Sequence, residues 1–321
     1  MRCSAAASCL LLLCTGSLHG ADTITSNLGH PGPRFEPGMT PATLGWGPLD
    51  EPYPDRFVVN AKDGAEMAWV PPGEFTMGSS SEERDWAFRW GRDVAGDPAK
   101  REWYDHEGPQ HRVRITKGFW FYRHEVTNAQ YRRFRPNHSS REYHGLSFDA
   151  GNQPVVAVSW NEARDYCTWA GTDLPTEAQW EYSCRAGTQT RFWWGSSEQQ
   201  AGQYADVADR SLTAELGVGP TFDTDDGRAV SGPVEGYKPN VFGLFDMIGN
   251  VWEWCFDWYD RGYYAESPRD DPPGPASGST RVLRGGSWWT NPPGCRSASR
   301  LGLSPETKDQ CNLGFRASRS P

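Results

Sequence analysis

The sequence predicts an α+β domain in which short strands and a few short helices are joined by long irregular segments. The 321-residue chain contains 35 glycines and 25 prolines, which favour turns and loops over long helices. Three segments carry the start signal of a helix, and short apolar runs between turn residues indicate small sheets. We find no internal repeat and no second domain boundary in the sequence, so we expect one domain over residues 56–318.

Net charge and composition limit the classes of partner. The formal net charge is −9 and the sequence has no basic run, which disfavours binding to nucleic acid or to anionic membrane surfaces. Only 37% of the residues are hydrophobic, but 16 tryptophans supply large apolar side chains. We therefore expect a core rich in aromatic residues and no nucleic-acid partner.

Residues 1–21 have the features of a secretory signal peptide. Arg2 supplies the basic start, residues 5–14 form a short apolar run, and small residues near the end suit cleavage. The apolar run is too short to span a bilayer, and no other segment is apolar enough, so no transmembrane segment is expected. The mature protein would be secreted or periplasmic. Residues 22–55, rich in Pro, Gly, Thr and Asp, are predicted to form a linker or extended arm.

Outside the helices, the sequence predicts short strands separated by loops. Short apolar runs over residues 56–78 indicate a small sheet, and residues 112–121 indicate a strand. The charged segment between them, residues 79–108, has the composition of a solvated insertion or loop. After Arg191 we expect mostly loops and short strands.

Each of the three predicted helices begins with a capping box, in which two side chains satisfy backbone donors reciprocally. The capping pairs are Thr127 with Gln130, Ser159 with Glu162 and Thr176 with Gln179, and the predicted helices cover residues 128–135, 160–170 and 177–185. Gly171 and Gly187 fit the ends of the last two helices.

Residues 243–258, GLFDMIGNVWEWCFDW, combine an acidic loop with an aromatic strand. Trp252 and Trp254 alternate with polar residues at the period of a strand with two unlike faces. Asp246 and Glu253, with backbone carbonyls between them, offer the hard oxygen ligands that calcium prefers. The residues alone leave a second interpretation open, in which the strand is buried and the acids are solvated.

Several further motifs stand in a fixed order along the chain. They include VPPGEFTMGS (70–79), LPTEAQWEYSCRAGT (174–188), RVLRGGSW (281–288) and NLGFR (312–316), with GNVWEW before the third. Together they resemble the formylglycine-generating enzyme family, also called sulfatase-modifying factors, over most of the chain. The resemblance implies a single domain, distantly like C-type lectin modules, with little regular secondary structure.

The resemblance also implies two Ca²⁺ sites that stabilise the fold. The first would use the side chain of Asp246 and then three residues of the same stretch: Gly249, Val251 and Glu253. The second would use Asp206, Val207, Asp226 and Arg228. Asp246 and Asp206 stand where the family commonly has asparagine, which keeps an oxygen ligand and adds negative charge.

The family's activity is the oxidation of a cysteine in a Cys-x-Pro-x-Arg segment of an unfolded sulfatase to formylglycine. Molecular oxygen is the oxidant, and Cu⁺ is held by two cysteine thiolates that follow the GGS sequence. In this chain the first of these positions is Thr290 and the second is Cys295. A hydroxyl is a poor ligand for the soft Cu⁺ ion, so the copper site would lack one of its two ligands.

Other family active-site positions are occupied as the resemblance expects. The matching catalytic candidates, besides Cys295, are Ser287, Trp252, Asn250, Arg300 and Asn312. Gly294 replaces the tyrosine that usually precedes the second cysteine. Trp252 and Asn250 have a structural alternative, in which the indole fills the core and the amide ties a loop.

Five cysteines follow the predicted signal peptide, and export permits disulfides among them. In some relatives a cysteine near position 295 is bridged to the position of Cys184, so a Cys184–Cys295 disulfide is the preferred pairing. Cys167 matches a half-cystine whose partner would sit at Ala317, so Cys167 would need Cys311 as a substitute.

Three functions remain open on the sequence. The first is an active oxidase that matures exported sulfatases. The second is a calcium-stabilised module without catalysis, which binds a peptide segment or another exported protein through the same cleft. The third is a changed chemistry in that pocket. Thr290 distinguishes the first function from the other two.

Overall fold

A computed structural model describes residues 57–95, 100–219 and 221–321. The predicted signal peptide, residues 1–21, and the predicted linker, residues 22–55, lie outside the described residues. Within the described ranges, the helices are all too short or too polar to cross a membrane.

Twelve short strands, six α-helices and three short 3₁₀ helices make up the regular structure of the described chain. The strands are β1 (Phe57–Val59), β2 (Glu66–Val70), β3 (Gly73–Met77), β4 (His111–Ile115), β5 (Phe119–Tyr122), β6 (Glu142–Tyr143), β7 (Leu146–Ser147), β8 (Trp252–Trp258), β9 (Arg281–Arg284), β10 (Arg300–Leu303), β11 (Leu313–Gly314) and β12 (Ser318–Arg319). The helices are α1 (Ser81–Asp93), α2 (Glu102–Asp105), α3 (Asn128–Phe134), α4 (Trp160–Ala170), α5 (Glu177–Arg185) and α6 (Arg210–Leu216).

The strands form two four-stranded sheets and two hairpins. One sheet has the antiparallel order β1-β2-β5-β12, and the other has the order β10-β9-β8-β11, with β11 parallel to β8. Strands β3 and β4 pair separately, as do β6 and β7. Since β11 and β12 lie in different sheets, the last few residues of the chain join the two sheets.

The three capped helices are confirmed. Their capping boxes are complete, with both the side-chain and the backbone hydrogen bonds formed. Gly171 ends α4 in the left-handed conformation, as expected. The end of α5 differs slightly, because Ala186 takes the left-handed position and Gly187 follows it.

Two predictions about elements are wrong. The charged segment 79–108 is not a solvated loop, because it contains α1 and α2. Ser80 caps α1, and this helix buries Glu83, Ala87 and Trp90. The predicted strand 112–121 is two strands, β4 and β5, which belong to different sheets. Helix α6 lies in a region where mostly loops and short strands were expected.

The core is aromatic, as the composition predicts. Four tryptophans are among the largest fully buried side chains: Trp180, Trp252, Trp254 and Trp288. The acids of β8, Glu253 and Asp257, are buried as well, with exposed fractions of 1% and 3%. The alternative of a buried strand with solvated acids is therefore wrong, and each of these acids needs a partner inside the protein.

Candidate functional site

The loop before β8 takes backbone conformations that few residues tolerate. Gly249 has a positive φ of 83°, and Asp246 and Asn250 are also left-handed, with φ of 54° and 53°. A Cβ atom on Gly249 would lie 2.1 Å from the carbonyl oxygen of Asp206, so only glycine fits this close crossing. The Asn250 backbone N–H donates to the same Asp206 carbonyl at 2.7 Å. The two stretches predicted to bind calcium are thus in direct contact.

Asp246, the side-chain ligand of the first predicted calcium site, is buried. Its Oδ2 accepts the Glu235 backbone N–H at 2.9 Å, whereas its Oδ1 has no hydrogen-bond partner within the described part of the chain. Burial raises the pKa of Asp246 to about 6. Gly249 and Val251 are buried in the same loop.

The Glu253 carboxylate is already neutralised by protein groups. Arg316 donates to it from Nε and Nη2 at 2.6–2.9 Å, and the indole N–H of Trp180 donates to Oε2 at 2.7 Å. The side-chain oxygens of Glu253 are therefore occupied by Arg316 and Trp180. Its backbone carbonyl is the candidate calcium ligand.

The second predicted site brings Asp206 and Asp226 near each other. Asp206 is fully buried, its Oδ2 accepts the Gly232 N–H at 2.8 Å, and its Oδ1 is without a hydrogen bond from any described residue. Burial, and then the nearby Asp226 carboxylate, raise the pKa of Asp206 well above its usual value. Asp226 accepts the Arg228 backbone N–H at 2.8 Å, and Val207 is buried beside Asp206.

The donors at these two sites fit calcium. The described residues contain no group of three or more His, Cys, Asp or Glu side chains placed to hold a metal ion. A cation site here would combine one or two carboxylates with backbone carbonyls, which is a set of hard oxygen ligands. The buried Oδ1 atoms of Asp246 and Asp206 are positions where a cation would compensate the loss of solvation.

Glu125 is a buried acid that the sequence analysis missed. It follows β5, its exposed fraction is 0%, and both carboxylate oxygens are without a hydrogen-bond partner in the described structure. Burial, and then the charge of Asp246, raise its pKa well above the usual value, although Arg316 opposes this. Its sequence neighbours are mostly polar, so no signal marked this residue, and only the fold shows that it approaches Asp246.

Most of the predicted catalytic residues meet in one buried polar cluster after β9. Gly285 and Gly286 turn the chain with φ of 98° and 80°, which places Ser287 beside Thr290. The two hydroxyl oxygens lie 2.9 Å apart, and the Ser287 N–H donates to Thr290 Oγ1 at 3.1 Å. Cys295 ends a short 3₁₀ helix, and its thiol donates to the Thr290 carbonyl at 3.3 Å.

Asn250, Asn312 and the backbone of Trp252 complete this cluster. The Trp252 N–H donates to the Asn312 carbonyl at 2.8 Å, and Asn312 Nδ2 approaches Ser287 Oγ at 3.5 Å. The carbonyl of Asn250 accepts the Trp288 N–H at 3.0 Å. Among the residues described, nothing donates to the side-chain oxygens of Asn250 and Asn312, although both atoms are buried.

Arg300 lies in a different cluster. Its Nε and Nη2 donate to the two carboxylate oxygens of Glu177, each at 2.7 Å, and its Nη1 donates to the carbonyls of His106 and Asp260. These bonds fasten β10 to the first turn of α5. The structure therefore places the guanidinium in a buried ion pair and not at the Ser287 hydroxyl.

The preferred Cys184–Cys295 disulfide is wrong in this structure, because both residues are thiols. Cys184 Sγ donates to the Met247 carbonyl at 3.7 Å, whereas Cys295 Sγ faces Thr290 and Gly286. Burial raises the pKa of Cys184 to about 12. Cys167 is also a thiol, so the alternative pairing with Cys311 is not formed either.

The residues present do not fit the family's copper centre. That centre needs two soft thiolates, and the pocket offers one hydroxyl and one buried thiol. The Thr290 hydroxyl is also hydrogen-bonded to Ser287, and a metal ion would have to break this bond to reach it.

Comparison with known proteins agrees with the motif order. The family model described as "Sulfatase-modifying factor enzyme 1-like domain" matches residues 55–321. The formylglycine-generating enzyme of Mus musculus is 33% identical over 78% of this chain and 74% of its own length. That of Streptomyces coelicolor is 45% identical over 51% of this chain, and the match spans about half (52%) of the relative.

Two further comparisons bear on the range of the family. A Bos taurus protein named "Inactive C-alpha-formylglycine-generating enzyme 2" is 36% identical over 51% of this chain and 49% of its own length. The solved structure of PvdO from Pseudomonas aeruginosa aligns with a TM-score of 0.64 and 26% identity, covering 84% of this chain and all of that one. On these matches and on the fold, the chain belongs to the formylglycine-generating enzyme family.

Proposed function

We propose that this protein is an exported, non-catalytic member of its family, stabilised by calcium, which binds a peptide segment or another exported protein. The observation that carries the proposal is Thr290. Its hydroxyl takes the place of the first copper-binding thiolate and is hydrogen-bonded to Ser287. Its exposed fraction is 7%, so it is a packed part of the pocket wall.

The loss of one thiolate removes the oxidation chemistry and leaves the pocket. Cu⁺ binds thiolate sulfur far better than neutral oxygen, and one thiolate does not supply the two-coordinate site. Cys295 is 0% exposed, and its thiol donates to a carbonyl of the same turn. It therefore supports the turn between Ser287 and Cys295. The bovine relative named inactive shows that the family includes members described in this way.

The polar groups of the pocket support recognition of a peptide. The side-chain oxygens of Asn250 and Asn312 are buried acceptors that receive no hydrogen bond from the described chain. Leaving such acceptors unpaired costs about 1–3 kcal/mol each, and the N–H groups of a bound peptide would satisfy them.

Calcium would stabilise the domain from the neighbouring loops. The Asp246 side chain with carbonyls of Gly249, Val251 and Glu253 would hold one ion, and the Asp206 and Asp226 stretch would hold the other. A bound ion of this kind compensates buried carboxylates and stabilises only the folded state.

The direct test uses a Cys-x-Pro-x-Arg peptide, with Cu⁺, reductant and air. We expect binding that quenches tryptophan fluorescence and no thiol-to-aldehyde mass change in the peptide. A peptide with the cysteine replaced by serine should bind comparably, because no metal–sulfur bond contributes to its affinity. Aldehyde formation that disappears in Cys295→Ser would contradict the proposal and identify an active oxidase.

A further inference from the structure

Glu125 is the least compensated acid in the described structure. It lies between β5 and α3, with an exposed fraction of 0%. Both oxygens lack a hydrogen-bond donor among residues 57–95, 100–219 and 221–321. An ionised carboxylate in such a position costs several kcal/mol unless a positive charge compensates it.

The backbone places Glu125 beside the first predicted calcium site. The Phe245 N–H donates to the Arg123 carbonyl at 2.7 Å, which sets residues 123–125 alongside Asp246. Arg316 spans the same two segments, because Nη1 donates to the Arg123 carbonyl at 3.2 Å and Nη2 to the Asp246 carbonyl at 3.3 Å.

The Arg316 guanidinium makes no hydrogen bond to Glu125 in the described structure. Arg316 directs Nε and Nη2 at the Glu253 carboxylate at 2.6–2.9 Å, and these two charges neutralise each other. Asp246 and Glu125 then remain as two buried acids whose combined charge, when ionised, is minus two.

Protonation does not satisfy these groups. A neutral Glu125 would still leave its carbonyl oxygen without a donor from the described chain. Asp246 Oδ1 would still be without a donor from the described chain. A divalent cation would compensate both acids at once, and carboxylate oxygens are the ligands that calcium prefers.

We propose that Glu125 supplies a second carboxylate to the calcium ion at the Asp246 site, directly or through one ordered water. The inference deepens the proposed function, since it rests on calcium binding at that site. It assigns a ligand from the segment between β5 and α3, far in sequence from the loop before β8. The ion would therefore tie the two segments together and would be neutralised by Asp246 and Glu125.

The experiment measures ion binding without any activity assay. Calcium affinity is measured by calorimetry on the mature chain. Terbium, a luminescent calcium substitute excited through nearby tryptophans, reports the number of bound waters from its lifetimes in H₂O and D₂O. In Glu125→Gln we expect calcium affinity at one site to fall at least tenfold and terbium hydration to rise by one or more waters.

Two variants serve as matched comparisons. Asp257→Asn removes another buried carboxylate outside the site and should leave calcium affinity unchanged. Asp246→Asn should weaken the same site as Glu125→Gln. If Glu125→Gln does not fold, Glu125→Asp keeps the charge with a shorter reach and should still lose affinity severalfold, with folding checked by circular dichroism.

The results distinguish the role of Glu125 as a ligand from calcium binding itself. Unchanged affinity and hydration in Glu125→Gln, or in Glu125→Asp where that variant is needed, with weakened binding in Asp246→Asn, would show that calcium binds without Glu125. Absence of calcium binding by the unsubstituted protein would overturn the calcium site itself, and Glu125 as its ligand with it.

Discussion

At residue 290 the pocket differs from the family motif by the replacement of a thiol with a hydroxyl. The surrounding residues accommodate this change. The Ser287 backbone N–H donates to the Thr290 hydroxyl, and the hydroxyl oxygens of Ser287 and Thr290 lie 2.9 Å apart. Asn250 and Asn312 keep buried side-chain oxygens beside Ser287. The pocket thus retains its polar lining while losing a metal ligand.

The state of two cysteines is a prediction at the same scale. Cys184 and Cys295 are both buried thiols, and the thiolate is the reactive form, so we expect neither to react with iodoacetamide in the native protein. Both should react after denaturation without reductant. Peptide mapping that finds a Cys184–Cys295 cross-link would contradict the structure and restore the pairing favoured from the resemblance.

Among the elements, those with local signals were predictable from the sequence. The capping boxes of α3, α4 and α5 each lie within four residues, so the sequence alone fixes the start of each helix. Helix α1 was missed because its inner face depends on a distant contact, in which Arg296 pairs with Glu83 and Glu107. The many charged residues of segment 79–108 predicted a solvent-exposed segment. In the fold, Glu83 and Glu107 instead form buried ion pairs with Arg296.

The contact between β8 and α5 predicts a dependence of stability on pH. Asp257 Oδ2 accepts the N–H of Glu177, the first residue of α5, at 2.8 Å. Burial, and then the charge of Glu177, raise the pKa of Asp257 from 3.8 to about 7. The folded state therefore holds this proton more tightly than the unfolded state, and this contribution to stability is lost as pH rises from about 4 to about 7.

The variant Asp257→Asn should remove that loss. Relative to the unsubstituted protein, its free energy of unfolding should be higher at pH 8 than at pH 5 by up to about 2.7 kcal/mol, since pH 5 lies about two units below the folded-state pKa and one unit corresponds to about 1.4 kcal/mol. Urea unfolding at the two pH values measures this difference. An equal effect of the substitution at both values would show that Asp257 titrates normally.

The last residues of the chain connect its two four-stranded sheets. Strand β11 pairs with β8, β12 pairs with β5, and Arg316 lies between them with its guanidinium on Glu253 and on four backbone carbonyls. The resemblance placed Arg316 in the NLGFR motif, but it could not show that the motif joins two sheets. Long-range pairing of this kind depends on the complete fold.

Removing this link should destabilise the whole domain. Arg316→Met would leave Glu253 charged and buried, which costs about 3–5 kcal/mol in comparable ion pairs. The control is Arg112→Met, because Arg112 pairs with Glu74 at the surface and such pairs contribute about 0–1 kcal/mol. Thermal unfolding monitored by circular dichroism measures both. Equal melting temperatures for the two variants would refute the role assigned to Arg316.

Copper binding tests the central claim most directly. The protein is titrated with Cu⁺ against a coloured Cu⁺ chelator under reducing conditions, beside the variant Thr290→Cys. We predict that the unsubstituted protein leaves the copper on the chelator, and that Thr290→Cys withdraws one equivalent, because it restores the pair of thiolates. One equivalent withdrawn by the unsubstituted protein, and lost in Cys295→Ser, would contradict the assignment as a non-catalytic member of the family.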